Sequence, residues 1–104
     1  MERAKLRDRI SSVLREAFGD RLNGIVLYGS EARGESGPES DIDLLVLLER
    51  PPVEPEDSWR CINALYPLVL ELGRPIHAEP VAAAEYAAGD YPLYRSAARD
   101  GLLL

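Results

Sequence analysis

The run Leu44-Leu-Val-Leu-Leu48 constrains this chain more than any other stretch. Side chains alternate faces along a strand, so a run that is apolar at every position offers no polar face to water and has to be covered on both sides. It predicts a central strand over residues 41–49. At its head stand Asp41 and Asp43, with Ile42 between them. Strand residues two apart share a face and lie ~6.5–7 Å apart at Cα, so the two carboxylates converge while Ile42 turns into apolar packing. Such a pair suits magnesium, which takes a few carboxylates and fills the rest of its shell with water and phosphate oxygens.

Upstream, Ile25 to Tyr28 is short, apolar and β-prone and belongs to a strand over 22–28, while Ser30-Glu-Ala-Arg-Gly34 reads as one helical turn closed by a glycine. Gly29 and Ser30 therefore sit at a strand-to-helix junction, where free backbone N–H groups attract a polyphosphate. Gly29 allows close approach of the backbone, and Ser30 adds a hydroxyl donor. A Walker-type lysine is missing. Charge neutralisation then falls to a metal, with Arg33 either on a phosphate or paired with Glu31 or Glu35. The loop from Glu35 to Ser40 carries Gly37-Pro38, which breaks any helix before the aspartates. Neither Gly-Ser nor Asp-x-Asp is specific alone; their order, and the ten residues between them, make the combination so.

Gly29-Ser30-Glu31-Ala32-Arg33-Gly34 followed by Ser40-Asp41-Ile42-Asp43-Leu44 resembles the signature of the nucleotidyltransferase superfamily that includes DNA polymerase beta. More narrowly it is similar to the minimal nucleotidyltransferases of prokaryotes, chains of about this length that often serve as the antitoxin half of a pair with a helical HEPN-domain protein. The motif covers residues 27–46. The resemblance implies an α/β (α+β) fold, a polymerase-beta-like palm with a mixed three- to four-stranded sheet flanked by helices. It also implies magnesium, ATP or another nucleoside triphosphate as donor, and transfer of a nucleotidyl group to an acceptor hydroxyl, plausibly a tyrosine of a HEPN partner. Such enzymes usually carry a third carboxylate on a neighbouring strand, holding metal and accepting the acceptor's proton. Glu79, the only acid in the segment Ile76 to Val81, is the candidate beside Asp41 and Asp43 as catalytic and metal residue. Where the family often shows an acid between two apolar residues, this chain has His77 or Ala78, depending on register; His77, the only histidine, is an alternative base.

The remainder reads as scaffold within a single domain, 1–104. Residues 2–18 form an amphipathic helix with Leu6, Ile10, Val13, Leu14 and Phe18 on one stripe, stopped by Gly19. Arg50-Pro51-Pro52-Val53-Glu54-Pro55 is a turn or linker. A second long helix starts near Pro55 to Asp57 and carries Trp59, Ile62, Leu65, Tyr66, Val69 and Leu72 as a stripe up to Gly73. Pro67 is expected to kink or end it, with a short strand over Leu68, Leu70 and Leu72 as the alternative. Residues 76–81 form a third, edge strand containing Pro80. Helices follow over Ala82 to Ala88 and Asp90 to Arg99, with Leu93, Tyr94, Ala97 and Ala98 facing the core. Leu102-Leu-Leu104 either tucks against the sheet or offers a patch to a second chain.

A net charge of −6 argues against an extensive nucleic-acid grip and for a small nucleotide or a protein partner, HEPN protein or second copy. The single cysteine, Cys61, permits no internal disulfide, no apolar run approaches the ~20 residues of a membrane span, and the start lacks a signal-peptide core, which makes the cytoplasm the expected compartment. Two functions fit: a magnesium-dependent nucleotidyltransferase, or the same fold kept as a catalytically weak subunit that acts by binding its partner.

Overall fold

The computed structural model describes residues 1–104. Its centre is the strand foreseen from the apolar run, β2 (Ile42–Leu48), in which every residue except Asp43 is buried. β1 (Leu22–Tyr28) pairs antiparallel on one side, β3 (Ile76–Ala82) pairs parallel on the other, and β4 (Leu102–Leu103) adds antiparallel to β1, giving the order β3-β2-β1-β4. The three- to four-stranded mixed sheet thus has four strands, with β3 on the edge where Pro80 is tolerated.

One face of the sheet carries Ile25, Leu27, Ile42, Leu44, Val46 and Leu48, covered by α1 (Arg3–Phe18) and α3 (Glu56–Leu72). α1 buries Leu6, Ile10, Leu14 and Phe18, a strict four-residue spacing that keeps one face inward. Glu2 accepts from the Ala4 N–H at its start, and Gly19 at φ 57° ends it. A 3₁₀ turn, Gly19–Arg21, leads into β1.

α3 runs through Pro67 without stopping, so the strand alternative is set aside. The proline's missing N–H releases the carbonyl of Asn63, and both residues lie on the exposed side where water reaches that oxygen. The stripe read from the sequence divides between two faces. Cys61, Leu65 and Leu68 are buried, whereas Trp59, Ile62 and Tyr66 point to solvent. Burial pushes the Cys61 thiol up to about 12, with the charges of Asp57 and Glu54 adding to it; this is a packing residue, not a nucleophile. Asp57, fully buried in the first turn of α3, takes two hydrogen bonds from Arg21 and one, 2.8 Å long, from the Val53 N–H. The Arg21 bonds hold its carboxyl below the usual range against the cost of burial.

The other face carries Val26, Leu45, Leu47 and Val81 beneath α4 (Ala83–Ala88) and α5 (Pro92–Asp100), which contributes Tyr94 and Ala97. Leu93 and Ala98, expected inside, are exposed. A side chain at Gly101 would run into the carbonyls of Ala97 and Leu27, so only glycine lets α5 turn this closely over β1 into β4. Leu102–Leu103 does tuck against the sheet, as a strand, and the Leu104 N–H continues the ladder to the Ile25 carbonyl at 2.8 Å.

Candidate active site

The α4–α5 cover leaves the head of β2 open on that face. In the strand register Tyr28 lies opposite Asp43 and Asp43 opposite His77, so the three side chains share one face, with Asp41 two residues before Asp43. The parallel register answers the question the sequence left open: His77 faces with Asp43, and Ala78 pairs with Leu44 on the opposite face. His77 donates a 3.0 Å hydrogen bond from Nε2 to Asp41 Oδ2, since a carboxylate only accepts. In the neutral ring this leaves Nδ1 as the acceptor.

Glu79 shares the face but sits one pleat further along, opposite Leu45 and about 8 Å from Asp43 at Cα by strand geometry. Burial first, then the charge of Asp43 and after it that of Glu79, raises Tyr28 above the ordinary phenol range, and burial followed by the charge of Glu79 does the same to Tyr94. No three His, Cys, Asp or Glu side chains stand together in a metal-holding group. The trio Asp41, Asp43 and Glu79 read from the sequence is therefore not preassembled; the structure joins Asp41 to His77 instead.

Gly29 connects the two halves of the motif. Its φ of 75° lies where glycine is favoured, and a Cβ there would stand 2.8 Å from Asp43 Oδ2. Both the backbone and the neighbouring carboxylate exclude any side chain. Ser30 then begins α2 (Ser30–Arg33), whose first N–H groups have no acceptor within the turn and no capping side chain at Gly29. Gly34, left-handed at φ 72°, closes the turn. Arg33 donates to Glu35 at 3.0 Å, the structural pairing foreseen as one alternative; both side chains are at least half exposed, so the pair contributes little to stability.

Glu31, read from the sequence only as a possible partner of Arg33, is held by Arg74 and Ser36 instead. It is 4% exposed, and Arg74 also donates to the Ser40 carbonyl at 2.9 Å. Burial pushes the Glu31 carboxyl up, but the bonds from Arg74 and Ser36 and the charges of Arg74 and Arg3 bring it below the usual range. This clamp ties the Ser30 turn to the loop that delivers Asp41. Its partners lie 43 residues apart, and no local pattern announces it.

Burial, and then the neighbouring charge of Asp41, push the Asp43 carboxyl above the usual range, with His77 opposing. Two oxygen-only ligands that repel one another beside free N–H donors fit a hard divalent cation arriving with a polyphosphate.

The chain matches the nucleotidyltransferase domain family over residues 7–87. It is 42% identical over 43 residues to a protein of Methanocaldococcus jannaschii named as a protein adenylyltransferase, a stretch covering 41% of this chain and 39% of that relative's length. Two crystal structures share the fold at 21% identity. One is a toxin–antitoxin with AMP-PNP, with a TM-score of 0.68 over 92% of this chain and 69% of the other. The second is a Tyr-to-Ala mutant of the toxin–antitoxin MntA–HpeT, with a TM-score of 0.65 over 94% and 70%.

Proposed function

Because the chain belongs to the nucleotidyltransferase domain family, we propose that it transfers a nucleotidyl group, AMP in first place, from a nucleoside triphosphate to a hydroxyl on a partner protein. The observation that supports this reading is the closeness of the Gly29 turn to the Asp43 carboxylate, which would stand 2.8 Å from a Cβ at Gly29. The Ser30 hydroxyl and the N–H groups at the start of α2 hold the terminal phosphates, with Arg33 released from Glu35 to join them. Asp41 and Asp43 would hold magnesium, which when bound would supply Lewis-acid stabilisation of the charge that develops on the phosphoryl oxygens. The acceptor oxygen bonds to the α-phosphorus, the bond to the bridging oxygen breaks, and pyrophosphate leaves. The acceptor's proton passes to Glu79 or to Nδ1 of His77, both of which are exposed on the carboxylate face.

A HEPN-type toxin is the proposed acceptor protein and its tyrosine the proposed hydroxyl. The toxin–antitoxin context of the similar folds supports this, as does the tyrosine replaced in one of them. No helix is long and apolar enough to cross a membrane. His77 in the position opposite Asp43 favours a second reading, a weakly active subunit that neutralises its partner by binding.

Label transfer separates them. Protein, magnesium and alpha-labelled ATP, incubated with host lysate, are expected to yield a labelled band that the Asp41→Asn, Asp43→Asn double variant does not produce. No band in a lysate that contains the partner proteins overturns the transferase reading.

A further inference from the structure

Asp41 lies just outside the strand ladder. β2 begins at Ile42, whose partner in β3 is Ile76, so strand pairing holds Asp43 but stops one residue short of Asp41. Residues 74 and 75 take over. The Pro75 carbonyl accepts from the Ile42 N–H at 2.9 Å, and Arg74 Nε donates to the Ser40 carbonyl at 2.9 Å. The two planar peptide units that meet at the Asp41 Cα are thus each held at one atom, which fixes the direction in which its side chain leaves the backbone. The first bond is between backbone groups; the second depends on the arginine. At its other end the same guanidinium donates from Nη2 to Glu31 in α2, and the Glu31 and Arg74 side chains are only 5% and 13% exposed. A planar guanidinium committed to oxygens on two different segments has little freedom to turn. His77 also holds Asp41, but on the carboxylate itself, between side chains 63% and 54% exposed, where a cation competes for the same oxygen.

We propose that Arg74 is a positioning residue for the cation site: by fixing the Ser40–Asp41 peptide against Glu31, it sets the Asp41 carboxylate for a divalent cation and keeps it in register with the Ser30 turn. This rests on the reading of Asp41 and Asp43 as the cation's ligands. The guanidinium acts by geometry and not by its field. A positive charge near a cation site opposes cation binding, and Glu31 offsets that charge at bonding distance. Geometry and field therefore predict opposite signs. Removing the arginine is expected to weaken cation binding, whereas removing its charge alone would strengthen it.

Mn²⁺ alone, titrated without nucleotide into isotopically labelled protein, reads the site by paramagnetic broadening of the Asp41 and Asp43 amide NMR signals, whether or not any transfer occurs. Arg74→Met is expected to need at least ~10-fold more Mn²⁺ for the same broadening. That variant also loses stability, so the double variant Glu31→Met, Arg74→Met is measured beside it. Apolar side chains in place of both partners of a buried ion pair restore packing without restoring the bond to Ser40, and the double variant is expected to show the same loss. Asp57→Asn, which removes the charge from the buried acid–arginine pair at the other end of α3, is expected to take up Mn²⁺ as the wild type does. An unchanged Mn²⁺ requirement in the double variant, or tighter binding once the arginine is gone, overturns the proposal. A loss shared by Asp57→Asn assigns the effect to stability and overturns it too. A wild type whose Asp41 and Asp43 signals do not broaden overturns the cation site itself, and the proposal with it.

Discussion

Asp43 is under opposed demands. Its carboxyl is held above the ordinary range, chiefly by burial and then by Asp41, so the ionised form is less at ease in the fold than in the open chain. The sign follows from linkage: this group's contribution is fully present below its unfolded value of ~3.9 and is lost as pH rises through the higher folded value. At neutral pH the folded protein bears that cost. Asp43→Asn is therefore expected to raise the melting temperature by a few degrees in metal-free buffer while abolishing label transfer, as calorimetry beside the transfer assay would show. A lower melting temperature would mean that the carboxylate is a net stabiliser of the fold. Gly29 belongs to the same local design, and its motif position was legible in the sequence. The reason it tolerates no side chain was not, because the obstacle is an oxygen on the neighbouring strand.

Between elements, the Glu31–Arg74 clamp joins α2, the loop before β2 and the connection between α3 and β3. Both side chains are largely buried, so removing either partner leaves a polar group without its counterpart. Arg74→Met is expected to cost about 3 kcal/mol, and the double change with Glu31→Gln less than the sum of the two single ones, with a coupling of ~1–3 kcal/mol. Urea titration of the four proteins in the cycle measures it; simple additivity would show that the clamp is not a unit. The periodicity of α3 marked it as a helix but did not choose its inner face. Apolar residues occupy most of its circumference, and only the docked sheet and α1 decide that Cys61, Leu65 and Leu68 go inside while Trp59, Ile62 and Tyr66 stay out.

At the scale of the molecule, Asp57 and Glu31 are the buried acidic side chains, and both carboxyls lie below the usual range in the fold, Asp57 chiefly through Arg21 and Glu31 through Arg74 and Ser36 against burial. Their contribution is fully present above the unfolded values near ~4 and is lost as pH falls through the depressed ones. Urea midpoints are expected to hold from neutrality to about pH 5 and then to fall, with Asp57→Asn less stable at neutrality but showing a shallower acid limb. An unchanged limb would remove Asp57 from the cause. The sequence by itself determined the order of the three longer strands and of the helices around them, the central place of β2, the glycine-closed turn at Ser30 and the shared face of Asp41 and Asp43. All of these rest on short-range periodicity and turn chemistry, which a chain carries wherever it folds. Only the tertiary structure decided that His77 rather than Ala78 stands with Asp43, that Glu79 lies a pleat away, that Glu31 and Asp57 are buried with distant arginines, and that Leu102–Leu103 forms a strand. Each of these depends on strand register or on a partner far along the chain, and neither is written in neighbouring residues.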